Sequence, residues 1–354
     1  MNSLPIIDIS PFLDSQASED ARLKTARDLD SACRNVGFFY ISHHNITIPE
    51  LNEILSLAHA FFALPSAAKN TIKMLPPGVG DGDGSRGYQS IGENVTEGKR
   101  DWHEGLDLYR PVLSTKPPYS LVMGVNKWPP GEFRRVYEMY IEKLLVLGGA
   151  VMHAIALGLG EKEDYFDEWI SEPFWVMRAI GYPPLETQDD GGISCGEHTG
   201  TLFLTVSEIF EILIEDYGCL TFLIADAHAT GSLQVKLRAT GEWISADPIE
   251  GCFVCNIGDM MQVPAENHRS GRLTCKVWTN NQYTSTLHRV IHKSRKYRVS
   301  VPFFFEPNFD AIISPIQSCI DKDRGERKVP KKIIYGEHLL KKVSGNFYKP
   351  APPS

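Results

Sequence analysis

From Trp175 onward the chain carries its apolar residues in short or alternating runs, at 175–182, 219–224, 233–237, 251–257 and 297–306, each closed off by turn residues. Runs this short cannot cover one another as helices, whereas strands that alternate their faces can, so the pattern predicts a β-sandwich or jelly roll. The first half reads differently. Residues 4–9 are apolar and β-branched, 21–36 have helical period, 37–42 return to a strand pattern and 49–64 to a helical one. A Gly/Asp/Pro-rich stretch at 76–85 is the natural exposed loop. Beyond it, 133–157 places apolar residues three and four apart over about seven turns, which suits a helix lying behind a sheet. The expectation is an α+β chain: a helical N-terminal region (1–120), then a jelly-roll, or double-stranded β-helix, domain (121–345) with a long backing helix.

Composition narrows the partners. The 354 residues are 42% hydrophobic, enough for one large domain or two small ones. Net charge is −8, from 36 basic and 44 acidic side chains. No electropositive stripe is present for a phosphate backbone, so nucleic acid is not expected as a partner. The amino terminus has no basic-then-apolar leader, and the apolar stretch 144–160 holds His153 and is shorter than the ~20 residues of a membrane span. The expectation is a cytoplasmic monomer that meets small molecules and no membrane. Seven cysteines without an export signal point to reduced thiols, and Cys252 and Cys255, in an apolar run with no second pair, to buried structural residues.

Three short segments carry chemistry: Cys195-Gly-Glu-His198-Thr, Ser285-Thr-Leu-His288-Arg and Tyr297-Arg298-Val-Ser300. Each alone is ambiguous, since a single histidine in an apolar strand is more often core. Two imidazoles and a carboxylate on one face leave open positions on a bound metal, and His and Asp two apart on a strand share a side. Here Gly200 stands two residues after His198, and Asp216-Tyr-Gly-Cys-Leu-Thr-Phe-Leu follows as if it continued the interrupted segment.

With Leu4-Pro-Ile-Ile-Asp8, Cys33-Arg-Asn-Val-Gly-Phe-Phe-Tyr-Ile-Ser-His-His44, Arg86-Gly-Tyr88, Asn126-Lys-Trp128, Asp247-Pro-Ile-Glu-Gly251 and Asn256-Ile-Gly-Asp259, most of the chain resembles the isopenicillin N synthase-like iron(II)/2-oxoglutarate-dependent dioxygenases of plant and fungal type. The resemblance implies Fe(II) held by His198, Asp216 and His288, with 2-oxoglutarate as cosubstrate bound by Arg298, Ser300 and Tyr182, and O2 as oxidant. An arginine fork suits a carboxylate, which a neighbouring hydroxyl can also contact. The family's asparagine two residues before the tyrosine is Ile180 here, which weakens the case for Tyr182. Hydroxylation, desaturation or ring closure of a small organic metabolite is the implied activity, in specialised metabolism or catabolism. Tyr88, His103, Phe174 and Phe305 are candidates for the substrate rim, each with core packing as the alternative.

Two segments, 200–215 and 264–277, interrupt the family pattern and read as insertions, of a length that an unspliced intron or a lineage-specific loop could supply. Closing about sixteen extra residues costs only ~2.5 kcal/mol, so the triad survives if Asp216 returns beside His198. If it does not, the chain is an impaired family member, or His-Thr-Gly resembles the radical halogenases of this superfamily. Asp226 and Glu197 are then the reserve carboxylates. A further alternative is an oxidase of the same fold that does not use 2-oxoglutarate. His43, His44, His228, His268 and His292 are expected to be surface or structural.

Overall fold

The computed structural model describes residues 3–76, 79–80, 83–93, 95–96, 99–112, 122, 124–184, 193–199, 219–258, 278–279, 282–283, 286–291, 294–321 and 332–346. Of these, 95–96, 99–100, 193–199, 321 and 341–346 are described by backbone alone.

The amino-terminal part alternates strand and helix: β1 (Ile6–Asp8), α1 (Ser10–Leu13), α2 (Glu19–Asn35), β2 (Phe38–Ser42), α3 (Ile48–Phe62) and α4 (Ser66–Lys69). Local chemistry sets the helix starts. The Ser18 hydroxyl accepts the Ala21 N–H and Glu19 and Asp20 occupy the first turn of α2, where the helix dipole favours acids. In front of α3, Glu50 accepts the Thr47 N–H at 2.9 Å, closing a capping box. Then come β3 (Gly87–Gln89), the small hairpin β4 (Val95–Thr96) and β5 (Lys99–Arg100), β6 (Glu104–Tyr109), α5 (Phe133–Leu159) and α6 (Asp167–Ile170). Helix α5 stops at Gly160, whose φ of +86° lies in the left-handed region that ends helices without a Cβ clash. Its 27 residues make it longer than the apolar stretch read from sequence, and long and apolar enough by length and composition to cross a membrane. Its inner side is spent on the core, however, with Leu144, Leu147, Val151 and Ile155 all buried.

The rest is mostly β: β7 (Pro173–Tyr182), β8 (Ile193–Thr199), β9 (Leu220–Ala225), β10 (Leu233–Lys236), β11 (Trp243–Ser245), β12 (Phe253–Ile257), β13 (Leu287–Ile291) and β14 (Arg298–Asn308). A short pair, β15 (Ile312–Ile313) with β16 (Ile333–Ile334), and the helices α7 (Gln317–Asp321) and α8 (Tyr335–Asn346) close the described chain. An eight-stranded sheet runs β1-β2-β12-β9-β14-β7-β6-β3, and a four-stranded sheet runs β11-β10-β13-β8. The apolar side chains between them come from both: Phe38, Tyr40, Val254, Ile180 and Tyr182 of the large sheet meet Leu233, Val235 and Val290 of the small one. The opposite face of the large sheet, with Phe39, Ile41, Phe222, Phe253, Val301, Phe303 and Phe305, is buried with Leu29, Phe61, Leu144 and Leu147 of the helices. The double layering follows from the strand period of two, and each fully buried large side chain contributes about 1.5–3 kcal/mol. The described part is thus α+β, two sheets forming a jelly-roll core with helices on one outer face.

Five cysteines are described and all are free thiols. Cys255 is fully buried in β12, where burial pushes its thiol well up, and Cys252 is half-buried at the strand's start. The segments 200–215 and 264–277 lie outside the described residues.

Candidate functional site

Strand β14 lies between β9 and β7 in the large sheet, so everything it carries is placed by ladders on both sides. Arg298 stands across from Tyr182, and Ser300 across from Ile180 on one side and Ala225 on the other. Two residues apart, Arg298 and Ser300 share a face, the one that Ile180 and Tyr182 turn toward the small sheet. The Arg298 guanidinium carbon sits 4.4 Å from the Tyr182 ring centroid, a cation–π contact. Arg298 is only 1% exposed, yet among the described residues its Nε and Nη1 have no hydrogen-bond partner. A buried guanidinium with two unanswered donors is costly, and a carboxylate answers such a fork in its own geometry.

From the opposing sheet, His288 of β13 stands across from Val235 on β10 and from His198 on β8. The His288 ring lies 4.9 Å from that of Phe38, centroid to centroid, so it reaches the large sheet's inner face. Its Nδ1 meets the Thr286 carbonyl at 3.1 Å. A carbonyl can only accept, so Nδ1 carries a proton, and in the neutral form of the ring the basic nitrogen is Nε2. In that form Nε2 can ligate a metal while the hydrogen bond at Nδ1 fixes the ring's orientation. The backbone register thus brings His198 and His288 side by side, and the interior holds Arg298, Ser300 and Tyr182. Asp216 and the side chains of His198 and Glu197 lie outside what is described.

Several sequence expectations are relocated. Phe305 is seven residues from Arg298, an odd number, so it faces the helices, where a Cβ on Gly148 of α5 would come within 2.2 Å of its ring. Phe174 shares the parity of Tyr182 but lies eight residues, about 26 Å, down β7, against Tyr109 and Phe309. Tyr88 pairs with Leu106, on the helix side, and rests edge-on against Phe61. None of the three lines the interior. His103 is buried with its ring 5.7 Å from that of Tyr182. Asp226 is no reserve ligand. His59 Nε2 lies 2.9 Å from both of its oxygens, and Oδ2 accepts the Val299 N–H at 2.7 Å, on the face away from His288. Of the histidines expected to be structural, His44 is buried and His43 and His228 are exposed or half-buried; His268 and His292 lie outside the described residues.

Sequence reading missed a charged pair in the interior. Arg178, four residues before Tyr182 on the same face, donates from Nε to Asp107 of β6 at 2.5 Å, with both residues buried. Burial alone would lower the Arg178 pKa, and the adjacent carboxylate more than reverses this. The even spacing Arg178, Ile180, Tyr182 was the available signal for the arginine; nothing local marked Asp107.

Comparison with known proteins shows the family. Residues 4–131 match the model of the non-haem dioxygenase in morphine synthesis N-terminal family, and residues 214–307 that of the 2OG-Fe(II) oxygenase superfamily. The second span contains Asp216, His288, Arg298 and Ser300. The chain is 41% identical to homoarginine-6-hydroxylase 2-ODD-C23.1 of Arabidopsis thaliana and 40% identical to homoarginine-6-hydroxylase 2-ODD-233 of Oryza sativa subsp. japonica, each over 98% of both chains. Among solved structures, a full-length Neurospora crassa protein in complex with alpha-KG (2-oxoglutarate) superposes with a TM-score of 0.75 at 25% identity, over 97% of this chain and 96% of that one. These likenesses favour neither an impaired member nor an oxidase independent of 2-oxoglutarate.

Proposed function

Because the chain belongs to the 2OG-Fe(II) oxygenase superfamily, we propose that His198, Asp216 and His288 hold its iron(II), that Arg298, Ser300 and Tyr182 bind 2-oxoglutarate, and that it hydroxylates a small cationic amino acid. The enzyme's class is an iron(II)- and 2-oxoglutarate-dependent oxygenase that uses O2 to oxidise a small metabolite. The observation that carries the site assignment is the buried Arg298 fork, unanswered at Nε and Nη1, beside Ser300. Iron(II), 2-oxoglutarate and O2 together supply an oxidant strong enough for an unactivated C–H bond, with succinate and CO2 released.

The residues of this chain bind and orient. Arg298 would hold the far carboxylate of 2-oxoglutarate, with the Ser300 hydroxyl as a second donor and the Tyr182 ring beneath the guanidinium. His288 offers Nε2 because Thr286 holds its Nδ1 proton. The apolar side chains between the sheets keep water from the reacting carbon. The substrate class is supported by the activity of the plant relatives, which are homoarginine-6-hydroxylases. In the same reading, 1–120 is the N-terminal region and 121–345 the jelly-roll domain, with helix α5 as its backing and 200–215 and 264–277 as insertions. Metal binding, cytoplasmic location and a monomeric state in specialised metabolism belong to it too, supported by the free thiols and by a net charge of −8 that opposes nucleic acid.

The test is anaerobic titration of iron(II) and then 2-oxoglutarate, with succinate release on adding homoarginine. His288→Ala should lose iron. Arg298→Ala should keep iron and bind 2-oxoglutarate tenfold to a hundredfold more weakly, as removal of a charge-assisted hydrogen-bonding pair of ~1.5–3 kcal/mol requires. Equal 2-oxoglutarate affinity in Arg298→Ala would overturn the assignment, and succinate release indifferent to homoarginine would overturn the substrate class.

A further inference from the structure

Arg298 is held from behind. Its guanidinium points into the interior, but its two chain neighbours, Tyr297 and Val299, turn to the helix side of the sheet, and a carboxylate meets each of them there. At Val299 the ladder with β9 has run out, since β9 ends at Ala225. The Val299 carbonyl still accepts the Asp226 N–H at 3.1 Å, while the Val299 N–H donates to Asp226 Oδ2 at 2.7 Å. A side-chain oxygen thus replaces the missing backbone acceptor and extends the pairing by one residue. Asp226 is in turn fixed to α3 by His59 Nε2, 2.9 Å from each carboxylate oxygen.

At Tyr297 the hydroxyl donates to Glu104 Oε1 at 2.7 Å, with its oxygen so close over Gly181 that a Cβ there would lie 2.0 Å from it. The other oxygen of Glu104 accepts from Lys69 Nζ and from the Tyr88 hydroxyl, both at 2.6 Å. Glu104 and Lys69 are buried. Buried charges of this kind are expensive to keep, and a well-packed apolar set would hold the same sheet and helices at least as well. What an apolar set cannot do is fix one backbone N–H and one hydroxyl on either side of a single arginine.

We propose that Asp226 and Glu104 are positioning residues for 2-oxoglutarate: together they lock Tyr297 and Val299 and so hold Arg298 with its donors aimed at the cosubstrate. The proposal rests on Arg298 binding 2-oxoglutarate. It assigns to Tyr88, Tyr297 and His59 the role of completing the two clamps, with no contact to the cosubstrate.

Calorimetric titration of 2-oxoglutarate into the anaerobic, iron-loaded enzyme tests it, with iron content measured on the same samples. Asp226→Ala is expected to weaken 2-oxoglutarate about tenfold at unchanged iron content. Asp226→Asn, which keeps an acceptor for the Val299 N–H, should restore affinity to within about threefold of the parent. A role in stability alone predicts the opposite pattern, with affinity unmoved in any variant that folds. Tyr297→Phe keeps the ring over Gly181, removes only the bond to Glu104 and serves if Asp226→Ala does not fold; its expected loss is about threefold to tenfold. Affinity within twofold of the parent in Asp226→Ala or in Tyr297→Phe, or an Asn variant no better than the Ala one, overturns the proposal. Arg298→Ala in the same series separates the two claims: if it binds 2-oxoglutarate normally, the site assignment fails, whereas if it alone loses binding, only the clamps fail.

Discussion

Two adjacent glycines in α5 give opposite forecasts. A Cβ on Gly148 would lie 2.2, 2.5 and 2.6 Å from three ring carbons of Phe305, whereas one on Gly149 would meet nothing within 4 Å. Carbon atoms in contact prefer about 3.5 Å, so Gly148→Ala demands that helix and ring part by about 1.3 Å. Phe305 is 1% exposed and sits on β14 between two ladders, so it has little room to give. Overpacking of this severity costs about 3 kcal/mol, and replacing a helical glycine by alanine returns about 1, leaving a net loss of ~2 kcal/mol. Gly149→Ala takes only the second effect and should stabilise by up to ~1 kcal/mol. In a chain of 354 residues the pair should straddle the parent's melting midpoint, with Gly148→Ala about 3 °C below it. Thermal unfolding followed by far-ultraviolet circular dichroism reads this directly. Adding Phe305→Leu to Gly148→Ala should recover part of the loss, a coupling of ~0.5–3 kcal/mol between touching residues. A Gly148→Ala protein as stable as Gly149→Ala would refute the docking of α5 on this sheet.

Two further outcomes follow from the same geometry. Gly181→Ala drives the Tyr297 hydroxyl off Glu104 and also crowds Phe62, 3.0 Å from the new Cβ, so it should destabilise by the ~1.5–3 kcal/mol of a hydrogen bond to a carboxylate and lower the urea midpoint accordingly. An unchanged urea midpoint would show that the tyrosine has another place to go. His44 donates from Nε2 to the Gly251 carbonyl and accepts the Ile46 N–H at Nδ1, a neutral ring with both nitrogens engaged, and burial holds its pKa below the usual range. A base depressed in the folded state binds fewer protons there than in the unfolded chain, so its contribution is complete above about pH 6.5 and is lost as pH falls below that. His44→Gln should therefore flatten the drop in melting temperature between pH 7.5 and 5.5; an unaltered drop would place its cause in other groups.

Legibility in the sequence followed the range of the forces involved. Helices α2, α3 and α5 and strands β2, β7, β9, β10, β12 and β14 were visible within a residue or two, because caps and hydrophobic period act over a few positions. Strand β6 was not, because Glu-Gly-Leu-Asp-Leu-Tyr is buried on both faces and carries an acid on each, Glu104 toward the helices and Asp107 into the interior, so no alternation separates core from solvent. The clamps behind Arg298 join residues 59, 226 and 299, and 69, 104 and 297, contacts that close only in the folded chain. Phe305, a rim candidate with core packing as its alternative, takes the core position, and the count of seven from Arg298 already put it on the far face. That count orders the whole strand. Even-numbered Arg298 and Ser300 open on the interior, the face of the proposed cosubstrate site, while odd-numbered Val301, Phe303 and Phe305 lie in the helix-side core, where substitutions change how firmly the sheet is held. Tyr297 and Val299 belong to the second group by parity and to the first by adjacency, so a contact made on the helix side at either one bears directly on the backbone that carries Arg298.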